Sequence, residues 1–296
     1  MPDLVTGATG LVGRALVAHL DDPFMTSRRP EQFGSDRAFM WPVNAESQQP
    51  DEPIDVVYHL AGEPVAGGRW NQARMTRIRD SRVEGTRGLV DWIASWKTKP
   101  RVLVSASAIG YYGDRGDESL HEQSDVGESF LANVCRDWEA EAMRAESLGV
   151  RVVCARIGIV LAPGGGALEK MLPPFKMGVG GPLGSGKQWM SWIHRTDLCR
   201  MIQDALAEDH WQGVVNAVAP QPVSMATFAS TLGRCLGRPS LLPVPGPVLH
   251  LLLGDGARVV LDGQQVCSDR LAELGFRFRY PDLSEALVAA TTTSVR

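Results

Sequence analysis

Short apolar runs alternate along this chain with longer amphipathic stretches. DLVTG, near the start, reads as a buried strand, and GRALVAHL after it repeats apolar residues at i, i+3 and i+4, as a helix packed on a sheet does. PFMTS predicts a second strand. IDVVYHLAG is an apolar run ending in small residues, the pattern of a parallel strand covered on both faces. MTRIRDSRVEGTRGLVDWIASW predicts a long helix with an apolar stripe, RVLVSASAIGYYGD a strand, ESFLANVCRDWEAEAMRAESLG a helix and RVVCARIGIVL another strand. Strands alternating with helices predict right-handed crossovers and a doubly wound parallel sheet.

The turn between the first strand and helix is TGATGLVG, with Gly7, Gly10 and Gly13 in GxxGxxG spacing. The first glycine permits a tight turn. The second lets the backbone approach a pyrophosphate at the helix N-terminus, and the third lets the helix pack closely on the strand. Thr9, Leu11 and Val12 complete the expected cofactor turn. The fold class is therefore α/β, a Rossmann-type doubly wound sheet. PFMTS ends in Ser27, Arg28 and Arg29, where an NAD-preferring site would place a carboxylate for the ribose 2′-OH. A guanidinium instead suits a 2′-phosphate, so NADP(H) is preferred, with Arg28 and Ser27 as its contacts and Arg29 solvated. Leu60, Ala61 and Gly62 end a strand at the carboxyl edge of the sheet, where such folds place ligands, and Leu161 ends a later strand and joins the expected cofactor set.

Length and composition change this picture little. The 296 residues are 44% hydrophobic and 22% charged, enough for one large α/β unit or two intimate lobes. A net charge of −4 gives no reason to expect nucleic acid or an anionic membrane as partner. The five cysteines are dispersed, without CxxC or CxxH spacing, which predicts reduced thiols in a cytoplasmic setting and neither a disulfide frame nor a metal site. No signal peptide is visible at MPDLVTGATG, and PVLHLLLG is too short to span a bilayer. GVGGPLGSGK lacks the terminal hydroxyl of a P-loop, since Gln188 follows Lys187. It and GGGAL read as loops near a pocket, either able to serve as a lid.

Taken together, the chain resembles the extended short-chain dehydrogenase/reductase superfamily over nearly its whole length. TGATGLVG is similar to the family's cofactor turn, HLAG to its AAG-type strand end, and SASAIGYYGD to its Ser…Tyr-Gly-Asp strand end. VEGTRGLV, SWIHRTDL and VVNAVAPQPVSMATFASTLGRCLGRP also match. LAGEPVAGGRW, SAIGYYGD, LPPFKMGVGGPLGSGKQWMSWIH and GQQV narrow the resemblance to an atypical subgroup known as epimerase family proteins. The resemblance implies a nucleotide-binding domain over 1–160, rejoined by a strand near 214–219, and a smaller C-terminal α/β substrate lobe over 161–296. It also implies a small-molecule substrate between the lobes. A homodimer could form through the helices around 72–96 and 129–147.

What the resemblance does not supply is the family's catalytic pair. A tyrosine normally exchanges the hydroxyl proton, and a lysine four residues on lowers its pKa. Counting back from Glu139 puts Leu131 at the tyrosine's place and Cys135 at the lysine's, while Arg82 replaces the helical asparagine. Ser107 alone matches a catalytic position. Tyr111 or Tyr112 is then the candidate proton donor, with Arg82 supplying charge. The alternatives are that both rings merely line the pocket, and that Ser107 is only a strand-end hydroxyl. His194 and the indoles of Trp70, Trp189 and Trp192 read first as structural groups, and Cys135 as a small buried residue. Sugar-nucleotide epimerisation needs an activated tyrosine, so the expectation is an oxidoreductase on a small carbonyl or alcohol. The alternative is a non-catalytic NADP(H)-binding sensor or scaffold.

Overall fold

Strands buried on both faces need two apolar residues in succession, and that requirement shapes the core. The computed structural model describes residues 1–34, 36–65, 68–207 and 210–292; part of LAGEPVAGGRW, at 66–67, lies outside the described residues. In chain order the first half contains β1 (Asp3–Thr6), α1 (Leu11–Val17), β2 (Phe24–Ser27), β3 (Ala38–Met40), β4 (Val56–His59), α2 (Gln72–Ser95), β5 (Val102–Ala108), β6 (Ser119–Leu120), α3 (Phe130–Met143) and β7 (Arg151–Ile157). The second half contains β8 (Ile159–Leu161), α4 (Gly166–Lys176), β9 (Trp189–Met190), β10 (Trp192–His194), α5 (Arg195–Ala207), β11 (Gly213–Ala217), β12 (Val223–Ser224), α6 (Met225–Cys235), α7 (Gly246–Leu253), α8 (Arg258–Leu261), β13 (Gln265–Val266), α9 (Asp269–Glu273) and α10 (Leu283–Thr291).

Seven parallel strands form the central sheet in the order β11-β7-β5-β4-β1-β2-β3, an α/β Rossmann-type topology. Adjacent residues of each central strand enter different cores. Val5, Tyr58, Val104 and Val153 pack with Leu16 of α1 and Leu198 and Met201 of α5. Leu4, Val57, Leu103 and Val152 pack on the other face with Leu89 and Val90 of α2 and Ala142 of α3. This is why these strands read as unbroken apolar runs. A third core, around Leu168, Phe175, Trp192, Phe228 and Leu287, belongs to the C-terminal elements. Among the described residues no helix is long and apolar enough to cross a membrane.

Two details depart from the pattern reading. RVVCARIGIVL is not one strand: it breaks at Gly158, and β8 leaves the central sheet to pair with β10. A Cβ at Gly158 would lie 2.7 Å from the Ser191 carbonyl oxygen, so only glycine lets the chain cross there. GGGAL is a loop only at Gly164 and Gly165; from Gly166 it begins α4, which carries Pro173 and Pro174 within it.

The ends of β1 and β4 are tied by His59. Thr6 Oγ1 accepts from the N–H groups of Leu60 (3.1 Å) and Ala61 (3.2 Å), leaving its own proton for His59 Nδ1 at 2.7 Å, while Nε2 faces Thr86 Oγ1 at 2.8 Å. Burial, and secondarily Arg82, push the imidazole down to about 3, so it is held neutral. The unfolded chain, with the ordinary value of 6.5, binds a proton that the folded chain refuses. Stability therefore falls as pH drops from about 6.5 towards 4, with His59 contributing about 1.4 kcal/mol per pH unit. Urea midpoints followed across that range should show the decline, and His59→Gln should make it shallower. An equal slope in the two proteins would refute the assignment.

Candidate cofactor and active site

β1 and β4 are neighbours whose following segments run to opposite sides, so a crevice opens at the carboxyl ends of the two strands, where ligands bind in such sheets. Gly7 sits there with φ +71°, and a Cβ on it would come within 2.7 Å of the Leu60 carbonyl oxygen. A Cβ on Gly13 would come within 2.2 Å of the Gly7 carbonyl oxygen. These two glycines let the turn wedge between α1 and the end of β4, bringing Gly7, Gly10 and Gly13 beside Leu60 and Ala61. The Gly10 N–H closes the turn on the Gly7 carbonyl at 2.9 Å, and no side chain caps α1, leaving its first N–H groups open to an anion. Thr9 and Gly10 are exposed, and Leu11 and Val12 half-buried.

At the end of β2, one strand outward, the Ser27 Oγ accepts from the Arg29 N–H (3.1 Å) and the Gln32 side chain (2.8 Å), so its own proton remains available. Arg28 is exposed beside it and, among the described residues, has no ion-pair or hydrogen-bond partner. The turn and β2 end thus bring an uncapped helix start, a hydroxyl and an exposed guanidinium to one edge of the sheet.

Further along the sheet the register aligns Ser107 of β5 with Arg156 of β7, and Arg156 with Asn216 of β11. Paired residues of adjacent strands point to the same face, so three polar side chains form one row beneath α3. Glu139 descends from α3 onto it. Its carboxylate takes a 2.8 Å bond from Arg156 Nε on Oε1, another of 2.8 Å from Nη2 on Oε2, and a 2.5 Å bond from the Ser107 hydroxyl. Arg156 Nη1 also donates to the Tyr112 oxygen (3.0 Å) and the Glu122 carbonyl (3.1 Å), and the Tyr112 hydroxyl donates to Asn216 Oδ1 at 2.6 Å. Burial opposes charge on Arg156, but the Glu139 bonds and the neighbouring Tyr112 raise its pKa. Burial also pushes the fully enclosed Tyr112 up to about 12, against the pull of Arg156.

Tyr111 is placed differently. It is half-buried, its ring lies under the Arg156 guanidinium at 3.4 Å, and among the described residues its hydroxyl makes no hydrogen bond. Leu131 covers Gly110, with its Cβ 3.5 Å from where a Gly110 Cβ would stand. Cys135 is buried below, its thiol pushed up to about 12 by burial and then by Glu139, with Arg82 opposing. The half-buried Arg82 reaches this place from α2: it donates to the carbonyls of Glu63 (2.9 Å) and Ile78 (3.2 Å), stacks on Trp138, and lies directly under Gly62.

On the C-terminal side, Leu161 has its side chain fully buried in the third core. The 164–166 glycines instead meet the cofactor turn, since a Cβ on Gly165 would come within 2.9 Å of Leu11. His194 accepts from the Thr196 N–H at 3.2 Å and stacks on Tyr280; burial lowers its pKa to about 4, Asp197 opposing. Sequence reasoning passed over Arg156, Asn216 and any role for Glu139. The available signal was a polar residue interrupting an apolar strand, in RVVCARIG and VVNAVA.

The profile of the NAD dependent epimerase/dehydratase family matches residues 4–217, and that of a domain of unknown function, DUF1731, matches residues 244–290. An Arabidopsis thaliana protein, epimerase family protein SDR39U1 homolog, chloroplastic, is 43% identical over 96% of this chain and 85% of its own length. The crystal structure of human epimerase family protein SDR39U1 (isoform 2) with NADPH superposes with a TM-score of 0.91, at 35% identity, covering 98% of this chain and 99% of that one. A nucleoside-diphosphate sugar epimerase from Corynebacterium glutamicum superposes with a TM-score of 0.76 at 34% identity, over 98% of this chain and 58% of that one.

Removing one partner of a buried, hydrogen-bonded ion pair leaves a charge without compensation. Glu139→Ala should therefore cost about 3–5 kcal/mol in urea unfolding. Glu139→Leu combined with Arg156→Met should cost less than the sum of the single changes, as expected for groups acting as one unit. Additive, small losses would mean that the pair holds nothing in place.

Proposed function

The chain belongs to the NAD dependent epimerase/dehydratase family, and from that premise we propose an NADP(H)-dependent oxidoreductase that acts on a small carbonyl or alcohol without a Tyr-x-x-x-Lys pair. The observation that carries the reading is Arg28, exposed and without a partner among the described residues, at the strand end next to the glycine turn. Gly7, Gly10 and Gly13 admit the pyrophosphate, Arg28 and the Ser27 hydroxyl take the 2′-phosphate, and Leu60, Ala61, Gly62 and the Leu161 strand end flank the nicotinamide half. The human relative's crystal structure with NADPH supports this choice of cofactor.

When bound, NADPH supplies a hydride to a carbonyl carbon while the carbonyl oxygen takes a proton, giving the alcohol and NADP⁺. In this chain Tyr111 delivers that proton. Its hydroxyl is uncommitted and its ring is fixed by Arg156, whereas the Tyr112 hydroxyl is spent on Asn216. Arg82 brings positive charge to the place vacated by lysine, close enough to Cys135 to oppose the rise in its thiol's pKa. Ser107 gives its proton to Glu139 and so offers the substrate oxygen's hydroxyl form an acceptor. Residues 1–160 with the returning strand act as the cofactor domain and 161–296 as the substrate lobe. Three buried free thiols fit a reducing cytoplasm. A homodimer through α2 and α3 belongs to the same reading.

The second reading, a non-catalytic NADP(H) sensor or scaffold, is favoured by Leu131 and Cys135 closing the place where the catalytic pair would stand. Both readings require the cofactor. Titration by tryptophan quenching should give an NADPH affinity more than tenfold above that for NADH, about 1.4 kcal/mol, with Arg28→Ala bringing the two together. Equal affinities in the unaltered protein, or an unchanged ratio in Arg28→Ala, would remove the cofactor assignment and the oxidoreductase with it.

A further inference from the structure

A cavity of about 490 Å³ lies between α4, the 179–183 segment and the α7–α8 corner, with a volume typical of small-molecule sites. Its walls include Trp70, Met171, Phe175, Leu183, Leu249 and Val260. Among the described lining residues Lys170, on the exposed side of α4, is the sole charged side chain, and none is Ser, Thr, Asn, Gln, Asp, Glu or Arg. Among the other described wall side chains the polar group is the Trp70 indole N–H, which donates to the Val65 carbonyl at 3.1 Å.

The phosphate-like glycine run GVGG does not change this. A Cβ on Gly180 would lie 2.5 Å from the Phe175 ring, and one on Gly181 2.2 Å from the Leu242 carbonyl oxygen. Close packing therefore accounts for both glycines. The cavity adjoins the groups described above at two points. Trp70 meets Phe130, the first residue of α3, edge-on at 5.9 Å, and the next residue, Leu131, covers Gly110 beside Tyr111. At the other end, α4 begins where the 164–166 glycines cover Leu11 of the cofactor turn.

From these walls we propose that the substrate is an elongated, mainly hydrophobic aldehyde, ketone or alcohol whose tail occupies this cavity, and not a nucleotide-linked sugar; the redox part of the proposal rests on the oxidoreductase reading. A pyrophosphate needs charged or N–H partners when taken out of water, and sugar hydroxyls need partners of their own. Among the described wall side chains only Lys170, at the exposed side of α4, carries a charge, and none offers a hydroxyl, carboxylate or amide to a sugar. An alkyl tail gains by leaving water and asks for no partner. The reacting oxygen then lies at the Tyr111 end and the tail runs between α4 and α8.

Calorimetry on the NADPH-loaded protein tests this with 1-alkanols from butanol to decanol and with UDP-glucose, while the corresponding aldehydes are followed by NADPH absorbance. Affinity should rise roughly threefold to fourfold per added methylene, with no binding of UDP-glucose. Val260→Trp and, independently, Met171→Trp should abolish the chain-length gain while leaving NADPH affinity unchanged. Affinity that is flat with chain length, or UDP-glucose binding that either substitution removes, would overturn the assignment. Length-dependent binding without aldehyde-driven NADPH oxidation would keep the cavity's ligand class and refute the oxidoreductase reading instead.

Discussion

A buried carboxylate that accepts three hydrogen bonds holds the carboxyl end of this sheet together. Glu139 takes two from Arg156 and one from Ser107, and through Arg156 the same network reaches Tyr112, the Glu122 backbone and, by way of Tyr112, Asn216. β5, β7, β11 and α3 are thereby fixed relative to one another. Any one of these charges alone would be costly beneath the helix; as a closed set they define a single arrangement. The consequence for chemistry is direct. α3 is held down by an ion pair, Leu131 lies over Gly110, Cys135 is buried beneath, and Tyr111 is half-buried with the Arg156 cation on its ring.

The glycine turn and the cavity beside α4 obey different constraints. At the first, backbone approaches backbone: Gly7 and Gly13 exist because no Cβ fits between the turn, α1 and the end of β4. At the second, the described side chains leave a space lined by apolar groups, with Lys170 at its exposed side. The 164–166 glycines join the two, lying over Leu11 and then opening α4, one wall of the cavity. A ligand filling the cavity and a cofactor on the turn would thus contact opposite ends of one short segment.

Much of this was legible in the sequence because it is local. The glycine turn, the strand ends at Ser27 and Gly62 and the run of alternating elements depend on residues within a few positions of each other, and periodicity reports them. The Ser107–Arg156–Asn216 row is not local. It depends on the register of three strands separated by long helices, and the sequence shows only single polar residues inside apolar runs. Gly158 shows the same limit: RVVCARIGIVL looks continuous because both halves are buried strands, though in different sheets. Tyr111 and Tyr112, indistinguishable by position, separate only when the network claims one hydroxyl.

In the proposed reaction Tyr111, and not a residue of α3, serves as the acid. The direct measurement is single-turnover oxidation of bound NADPH by a medium-chain aldehyde in the unaltered protein, Tyr111→Phe and Tyr112→Phe, with the unfolding midpoint of each. Tyr111→Phe should lose turnover by about 10²-fold or more at an unchanged midpoint, and Tyr112→Phe should lower the midpoint while still turning over. Full turnover in a folded Tyr111→Phe protein would contradict this role.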